Sequence, residues 1–339
     1  MKVNGGIKIL ELRYDPVKNK WVAIATKRQE RTFLPPKDFC PLCPTKSDKV
    51  VTEIPRDNYD IVVFENKFPT FSRTPGRLDS NESTSERSIL SYSKMQSRGI
   101  CEVVCYTQEH DLYLEDMPLQ KICNLIKVWQ DRYLNLGSKN FIKYVFIFEN
   151  KGKEIGVTLS HPHGQIYAFP YIPPVVLEEL SSSKKFYKKN KKCLHCTIIE
   201  NELKDKRRIV IKNEDFIAFI PFYAGWPYEV HIYSLRHIGS ICELIEQEIL
   251  SLSVIIKKLI NGYNNLFGFR MPYVMVIHQK PTDGRDYIYY HFHFEFYPPY
   301  RTKNKLKYMA GCELGAGTFI NDTLPEEKAA ELKEIVDKI

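Results

Sequence analysis

Apolar residues recur at helical spacing in two places along the chain. Leu119, Ile122, Ile126, Trp129 and Tyr133 fall on one stripe, and Leu244, Ile249, Leu252, Ile256 and Leu259 make a second. This is the 3.6-residue period of a helix buried along one side. Each stripe is followed by a run rich in β-branched and aromatic residues, Ile142 to Phe148 and Tyr273 to His278, which predicts a strand. A loop and a His-x-His tract come next in both places, so the pattern occurs twice.

The duplication extends to the chemistry-bearing residues. The first half runs Cys40-x-x-Cys43, His110, helix, strand, loop, His161-x-His163-x-Gln165; the second runs Cys193-x-x-Cys196, His237, helix, strand, loop, His291-x-His293-x-Glu295. The lone histidine precedes the paired ones by 51 residues in one half and 54 in the other. A fixed order of parts at matched spacing is the mark of an internal repeat. The polar, Ser-rich stretch from Ser72 to Gly99 reads as a long loop that absorbs the extra length of the first half. The boundary is expected near Ser181 to Lys192, giving halves of 1–183 and 184–339.

Ser160-His161-Pro162-His163-Gly164-Gln165 is the most informative tract. In an extended strand alternate side chains share a face, so His161, His163 and Gln165 are expected on one side. A neutral imidazole attacking phosphorus would suit that row, dividing one transfer into two easier steps. The plain alternative is a strand with ordinary core histidines. Gln has no useful pKa and cannot activate water as a base, which favours transfer over hydrolysis.

Composition narrows the partners. The chain has 339 residues, 43% hydrophobic and 13% aromatic, with a net charge of +8, which fits a globular protein with an anionic ligand. The basic residues are scattered, and the main run, Lys184 to Lys192, reads as a solvated linker; no nucleic-acid-reading module is present. No apolar stretch approaches the roughly 20 residues needed to cross a bilayer. Met1 to Lys20 lacks the apolar core of a signal peptide, so a cytoplasmic location is expected. In that reducing setting the two Cys-x-x-Cys pairs suggest metal sites before disulfides.

Cys40, Cys43, His110 and His161 would make a closed, structural zinc site, and Cys193, Cys196, His237 and His291 its repeat. A rival for the second half joins His278, His291 and His293 with a carboxylate such as Glu179; His291 cannot easily serve both, and the cysteines at 193 and 196 favour the repeat. The other cysteines, Cys101, Cys105, Cys123, Cys242 and Cys312, are expected as buried thiols.

With these tracts in place, the chain resembles the galactose-1-phosphate uridylyltransferases of the histidine-triad superfamily over nearly its full length. Supporting stretches are Arg13-Tyr14-Asp15-Pro16, Lys27-Arg28-Gln29-Glu30-Arg31, Phe64-Glu65-Asn66-Lys67-Phe68, Phe148-Glu149-Asn150-Lys151-Gly152, Ala224-Gly225-Trp226-Pro227 and His291 through Pro299. The resemblance implies an α+β fold of duplicated histidine-triad-like domains, each an antiparallel sheet with flanking helices. It implies ping-pong transfer of UMP from UDP-glucose to galactose 1-phosphate by a homodimer. His163 would carry the uridylyl group and Gln165 would bond the phosphoryl oxygens. Asn66 and Phe68 would lie near uridine, Asn150, Gly156 and Thr158 near the phosphates, and Lys307 and Glu313 near the sugar. Arg28 and Arg31 would meet phosphate, across the dimer interface.

Two departures stand out. Gly315 to Asn321 replaces the usual sugar-contacting Gln, and Lys67 stands where an Asp often follows the Asn. The second His-x-His strand is expected to be a degenerate copy that supports structure. Two other readings remain open: a nucleotide phosphorylase or adenylyltransferase acting on ADP-glucose or diadenosine tetraphosphate, and a non-catalytic zinc-stabilised nucleotide-binding protein.

Overall fold

The computed structural model describes residues 9–31, 35, 39–46, 51–76, 78 and 92–339. Half of the Ser-rich tract from Ser72 to Gly99, residues 77 and 79–91, lies outside that set. In chain order the elements are β1 (Leu10–Asp15), β2 (Lys20–Ala25), β3 (Val62–Glu65), β4 (Lys94–Gln96), β5 (Ile100–Cys105), α1 (Leu119–Gly137), β6 (Tyr144–Lys151) and β7 (His163–Phe169). They continue with α2 (Pro174–Asn190), α3 (Leu194–Asp205), β8 (Ile209–Lys212), β9 (Phe216–Phe219), β10 (Val230–Ser234), α4 (Glu246–Phe267) and β11 (Tyr273–His278). The last are β12 (His293–Tyr297), β13 (Tyr300–Thr302), β14 (Lys305–Leu306) and α5 (Pro325–Val336).

Nine strands form one antiparallel sheet in the order β3-β5-β7-β6-β11-β12-β10-β9-β8. Read outward from the β6–β11 junction, β7, β5 and β3 on one side match β12, β10 and β9 on the other. The duplication expected from the sequence is therefore present, but the two half-sheets are fused edge to edge. Ile147 opposite Ile277 and Phe148 opposite Val276 lie at that seam. Pairing the two inner edges satisfies backbone groups that separate sheets would leave open.

Strand alternation divides the sheet into two faces. Gly164, Ile166 and Ala168 of β7 and Phe294 and Phe296 of β12 point into a core with α1, α4 and α5. His163, Gln165 and Tyr167, with His293, Glu295 and Tyr297, point the other way. The predicted helical stripes hold: Ile122, Ile126, Trp129 and Tyr133 are buried on α1, as are Ile249, Leu252, Ile256 and Leu259 on α4. Leu119, on the first turn, is 36% exposed. α4 ends at Gly268, whose φ of +75° supplies the left-handed cap.

Three local expectations change. The Lys184–Lys192 run is solvated as expected, but it is helical as far as Asn190 and not a linker. Cys101, Cys105 and Cys123 are buried, while Cys242 and Cys312 are partly exposed. Residues 92–99 are tied into a small second sheet, where β4 pairs with β1. That sheet, β2-β1-β4, packs Leu12, Trp21 and Met95 against Phe71, Tyr167 and Tyr171. It thereby brings the short 3-10 turn Thr26–Glu30, which carries Arg28, to the chemical face of β7.

Candidate active site

His163 opens β7, half-buried, and its Nδ1–H donates to the backbone carbonyl of His161 at 2.7 Å. That bond fixes the tautomer and leaves Nε2 as the nitrogen able to attack. Desolvation in the cleft pushes the imidazole below its ordinary pKa, against the raising effect of the His161 carbonyl. The ring is therefore neutral near pH 7. Gln165 follows on the same face and lies 3.4 Å from the Tyr167 hydroxyl, which donates to its Oε1. His161 departs from the expected row. It precedes the strand, is buried, and turns toward the cysteines.

Gly164 is sterically required. A Cβ there would lie 2.2 Å from the Tyr106 hydroxyl and 3.2 Å from the Phe148 carbonyl. The helix-side surface of β7 is therefore pressed against Tyr106, which stiffens the backbone directly beside His163.

Two cavities meet at His163. One, about 530 Å³, is lined by Asn150, Lys151, Thr158, Ser160 and Arg270 among others; the second, about 90 Å³, is lined by Arg31, Asn66, Lys67, Phe68, Thr158 and Gln165 among others. In the small one, Asn66 Oδ1 accepts the Phe68 N–H at 2.9 Å, which leaves its amide NH₂ as a donor. Arg28 lines neither cavity; it donates to the Phe68 carbonyl at 3.2 Å and to Thr70 Oγ1 at 3.1 Å. Burial and the neighbouring Arg28 charge both lower the Arg31 pKa. Two guanidinium groups held near each other make a place that an anion relieves.

Gly156 caps the turn of the 152–158 loop with φ +82° and is not among the lining residues. Lys307 and Glu313 are also absent from both cavities. They form a buried pair at 2.9 Å in the second half, with Glu313 also accepting the N–H groups of Ala310 and Ile320.

The donor atoms of Cys40, Cys43, His110 and His161 all lie within 4.8 Å of one another, as do those of Cys193, Cys196, His237 and His291. Cys43 Sγ is 3.4 Å from His110 Nδ1 and 3.5 Å from His161 Nδ1. Cys196 Sγ is 3.2 Å from His237 Nδ1 and 3.4 Å from His291 Nδ1. Zn–S near 2.3 Å and Zn–N near 2.0–2.1 Å give tetrahedral edges of roughly 3.5 Å, so both sets fit that ion. In each, the other imidazole nitrogen is held from outside: His161 Nε2–H donates to the Thr107 carbonyl at 2.7 Å and His291 Nε2–H to the Ser234 carbonyl at 3.0 Å. Such outer partners orient metal-binding histidines.

The rival arrangement is resolved by division. His291 joins the cysteines, and Glu179, His278, His293 and Glu295 form a separate group with donor atoms within 4.8 Å. Glu295 takes the place expected for His291. Tyr59 and Tyr106 were not foreseen either. Tyr59, whose hydroxyl donates to the Thr107 carbonyl at 2.6 Å and lies 3.1 Å from His161 Nε2, comes from a loop with no distinguishing pattern.

Two related halves, each a sheet backed by a long helix with a His-x-His tract leading into a strand, define a histidine-triad nucleotide-transferring protein. Comparison gives the particular family. Residues 6–173 match the family model for the N-terminal domain of galactose-1-phosphate uridyl transferase, and residues 179–339 match that for its C-terminal domain. The chain belongs to the galactose-1-phosphate uridylyltransferase family, and it is a uridylyltransferase enzyme.

It is 40% identical to the galactose-1-phosphate uridylyltransferase of Thermotoga maritima over 96% of this chain and 98% of that one. It is 31% identical to the Haemophilus influenzae protein of the same name over 95% and 93%. A solved uridylyltransferase superposes with a TM-score of 0.85 at 37% identity, covering 97% of this chain and 99% of that one. An ADP-glucose phosphorylase from Arabidopsis thaliana, solved with ADP-glucose, gives 0.70 at 26%, covering 95% and 98%.

Proposed function

We propose that the enzyme moves UMP from UDP-glucose to galactose 1-phosphate in two displacements at His163. The observation that carries this is the fixed tautomer of His163, with Nε2 available where the two cavities meet. In the first displacement Nε2 bonds to the α-phosphorus as the bond to the bridging oxygen breaks, releasing glucose 1-phosphate. The proton stays on Nδ1, donated to the His161 carbonyl, and that acceptor stabilises the positive charge that develops on the ring. In the second, a phosphate oxygen of galactose 1-phosphate attacks the same phosphorus, forming UDP-galactose and freeing His163.

Phosphoryl transfer needs charge neutralisation and alignment more than covalent help. Arg31 supplies charge from the small-cavity side, and Gln165 and Thr158 offer hydrogen bonds to the phosphoryl oxygens. Asn66 and Phe68 take the nucleoside, and Asn150 and Gly156 shape the phosphate loop. Lys307 and Glu313 line neither cavity, and Arg28 stands behind the small one, bonded to the Phe68 carbonyl. We assign them to a site completed by a second copy in a homodimer.

Zinc in the two Cys₂His₂ sets would hold the loops that carry His161 and His291. Residues 1–183 form the catalytic half and 184–339 the supporting half. Among the described residues no helix is long and apolar enough to cross a membrane. We place the enzyme in the cytoplasm on the ground of its water-soluble sugar-phosphate substrates.

The test is intact-protein mass after incubation with UDP-glucose or with ADP-glucose, under conditions that spare a phosphoramidate. A UMP-sized gain from UDP-glucose, released by galactose 1-phosphate, is expected. A gain from ADP-glucose alone, or release by inorganic phosphate but not by the sugar phosphate, would overturn the proposal.

A further inference from the structure

Among the described residues, the small cavity beside His163 is lined by one acidic side chain, Glu53. Its other charged groups are the cations Arg31 and Lys67; Asn66, Gln165, Thr158 and His163 are polar and neutral, and the rest is apolar. The Glu53 carboxylate accepts from Lys67 Nζ through Oε1 at 2.9 Å and is 31% exposed. Lys67 is its one side-chain partner among the described residues, so Oε2 keeps its acceptor capacity.

Glu53 is also firmly mounted. Its N–H donates to the Pro41 carbonyl at 3.0 Å, between the two cysteines of the first pair. On either side, Thr52 Oγ1 donates to the Cys43 carbonyl at 2.6 Å and Ile54 bridges to Pro44. A carboxylate on a loop stitched to a metal-binding turn is held in place without being buried.

The charged groups of this slot are mostly donors, with Glu53 the anionic acceptor among them. Asn66 presents a donor, since its oxygen is taken by the Phe68 N–H. Arg31 and Lys67 are donors only. A nucleoside brings base carbonyls that such donors satisfy, but its ribose brings two vicinal hydroxyls that need an acceptor. A carboxylate with a vacant oxygen is the group that meets them, as acidic residues meet ribose 2′-hydroxyls in dinucleotide-binding folds. Lys67, directed by Glu53 and lying 6.0 Å from the Phe68 ring centroid, closes the slot around that pair.

We infer that Glu53, positioned by Lys67, accepts the ribose hydroxyls of the nucleotide donor and makes the enzyme select ribonucleotides over 2′-deoxyribonucleotides. The inference rests on the nucleoside occupying the small cavity, as proposed above.

The experiment compares the rate constant per concentration for His163 labelling by UDP-glucose and by 2′-deoxy-UDP-glucose. It uses the wild type, Glu53→Gln and Lys67→Met as full chains, with melting temperature and metal content checked for each. Wild type should prefer the ribose form by about tenfold or more, the worth of one charge-assisted hydrogen bond. Glu53→Gln should lose about tenfold with UDP-glucose, chiefly through KM, and little with the deoxy donor, so the preference falls toward one. Lys67→Met should fall between. An unchanged preference in correctly folded Glu53→Gln overturns the inference, as does a wild type without preference. If only ADP-glucose labels the wild type, the uridylyl reading fails and the same ratio is read with ADP-glucose and its 2′-deoxy form. No labelling by either donor overturns both.

Discussion

His163 and His161 are joined by a single short hydrogen bond, Nδ1–H to carbonyl oxygen at 2.7 Å, and they present opposite ring nitrogens. His161 offers Nδ1 to the cysteine set and donates from Nε2 to Thr107, while His163 donates from Nδ1 and keeps Nε2. His163→Ala should therefore cut uridylyl transfer by roughly 10³-fold or more, the scale of losing a nucleophile. The melting temperature and zinc content should stay near those of the wild type. Appreciable turnover in a purified, folded variant would sink the assignment.

The second half repeats this bond and then diverges. His293 Nδ1–H donates to the His291 carbonyl at 3.0 Å, but its Nε2 faces Glu295 at 3.4 Å and the residue is only 1% exposed. An imidazole buried against a carboxylate has no open path to a phosphate. We expect one UMP per chain after saturation with UDP-glucose, counted by intact mass. Two per chain, or one that survives His163→Ala, would show a second centre.

The two Cys₂His₂ sets predict two equivalents of zinc by elemental mass spectrometry, with Cys40→Ser and Cys196→Ser each losing one. A closed four-ligand site contributes to folding more than to chemistry. Cys40→Ser should lower the melting temperature markedly while activity per folded molecule falls far less. The opposite order would make that metal catalytic.

Much of this was legible because it rests on period and spacing. The stripes on α1 and α4 and the matched histidines required no knowledge of what packs against what. The edge-to-edge fusion of β6 with β11 was not legible, since Ile147 and Ile277 look like any strand residues until the partner is known. The repeat of the cysteine pairs already favoured placing His291 with Cys193 and Cys196, but that Glu295 joins Glu179, His278 and His293 was not legible, because sequence lists ligands without saying which share a centre. The separation of Lys307 and Glu313 from His163 is equally a matter of where the C-terminal half lies in space. Tyr106 escaped notice for a simpler reason: its role is to fill the space that Gly164 leaves.

That space predicts a sharp steric effect. Gly164→Ala places a methyl 2.2 Å from the Tyr106 hydroxyl, within a buried wall where the Phe148 carbonyl at 3.2 Å blocks retreat. Overpacking of this kind costs roughly 1–3 kcal/mol, and the displaced strand carries His163. Gly164→Ala should lose both stability and transfer activity, and adding Tyr106→Phe should recover part of each. Full stability in the single variant, by chemical denaturation, would show that β7 is free to shift.

Behind the same wall lies a carboxyl whose burial controls stability. Glu149 is held between the hydroxyls of Tyr273, at 3.3 Å, and Tyr106, at 3.5 Å. Burial pushes its pKa from 4.5 up to about 8, against the lowering effect of Lys151 and with a further push from Glu115. Between those values the folded chain keeps this proton and the unfolded chain releases it. Stability from this group is thus full below about pH 4.5 and is lost as pH rises through 8. Gln is the uncharged shape of the protonated side chain, so Glu149→Gln removes that dependence. The variant should melt close to the wild type at pH 5 and several degrees above it at pH 9, a difference on the order of a few kcal/mol. Parallel melting profiles for the two proteins from pH 5 to 9 would mean that the carboxyl is already ionised in the fold, stabilised by Lys151.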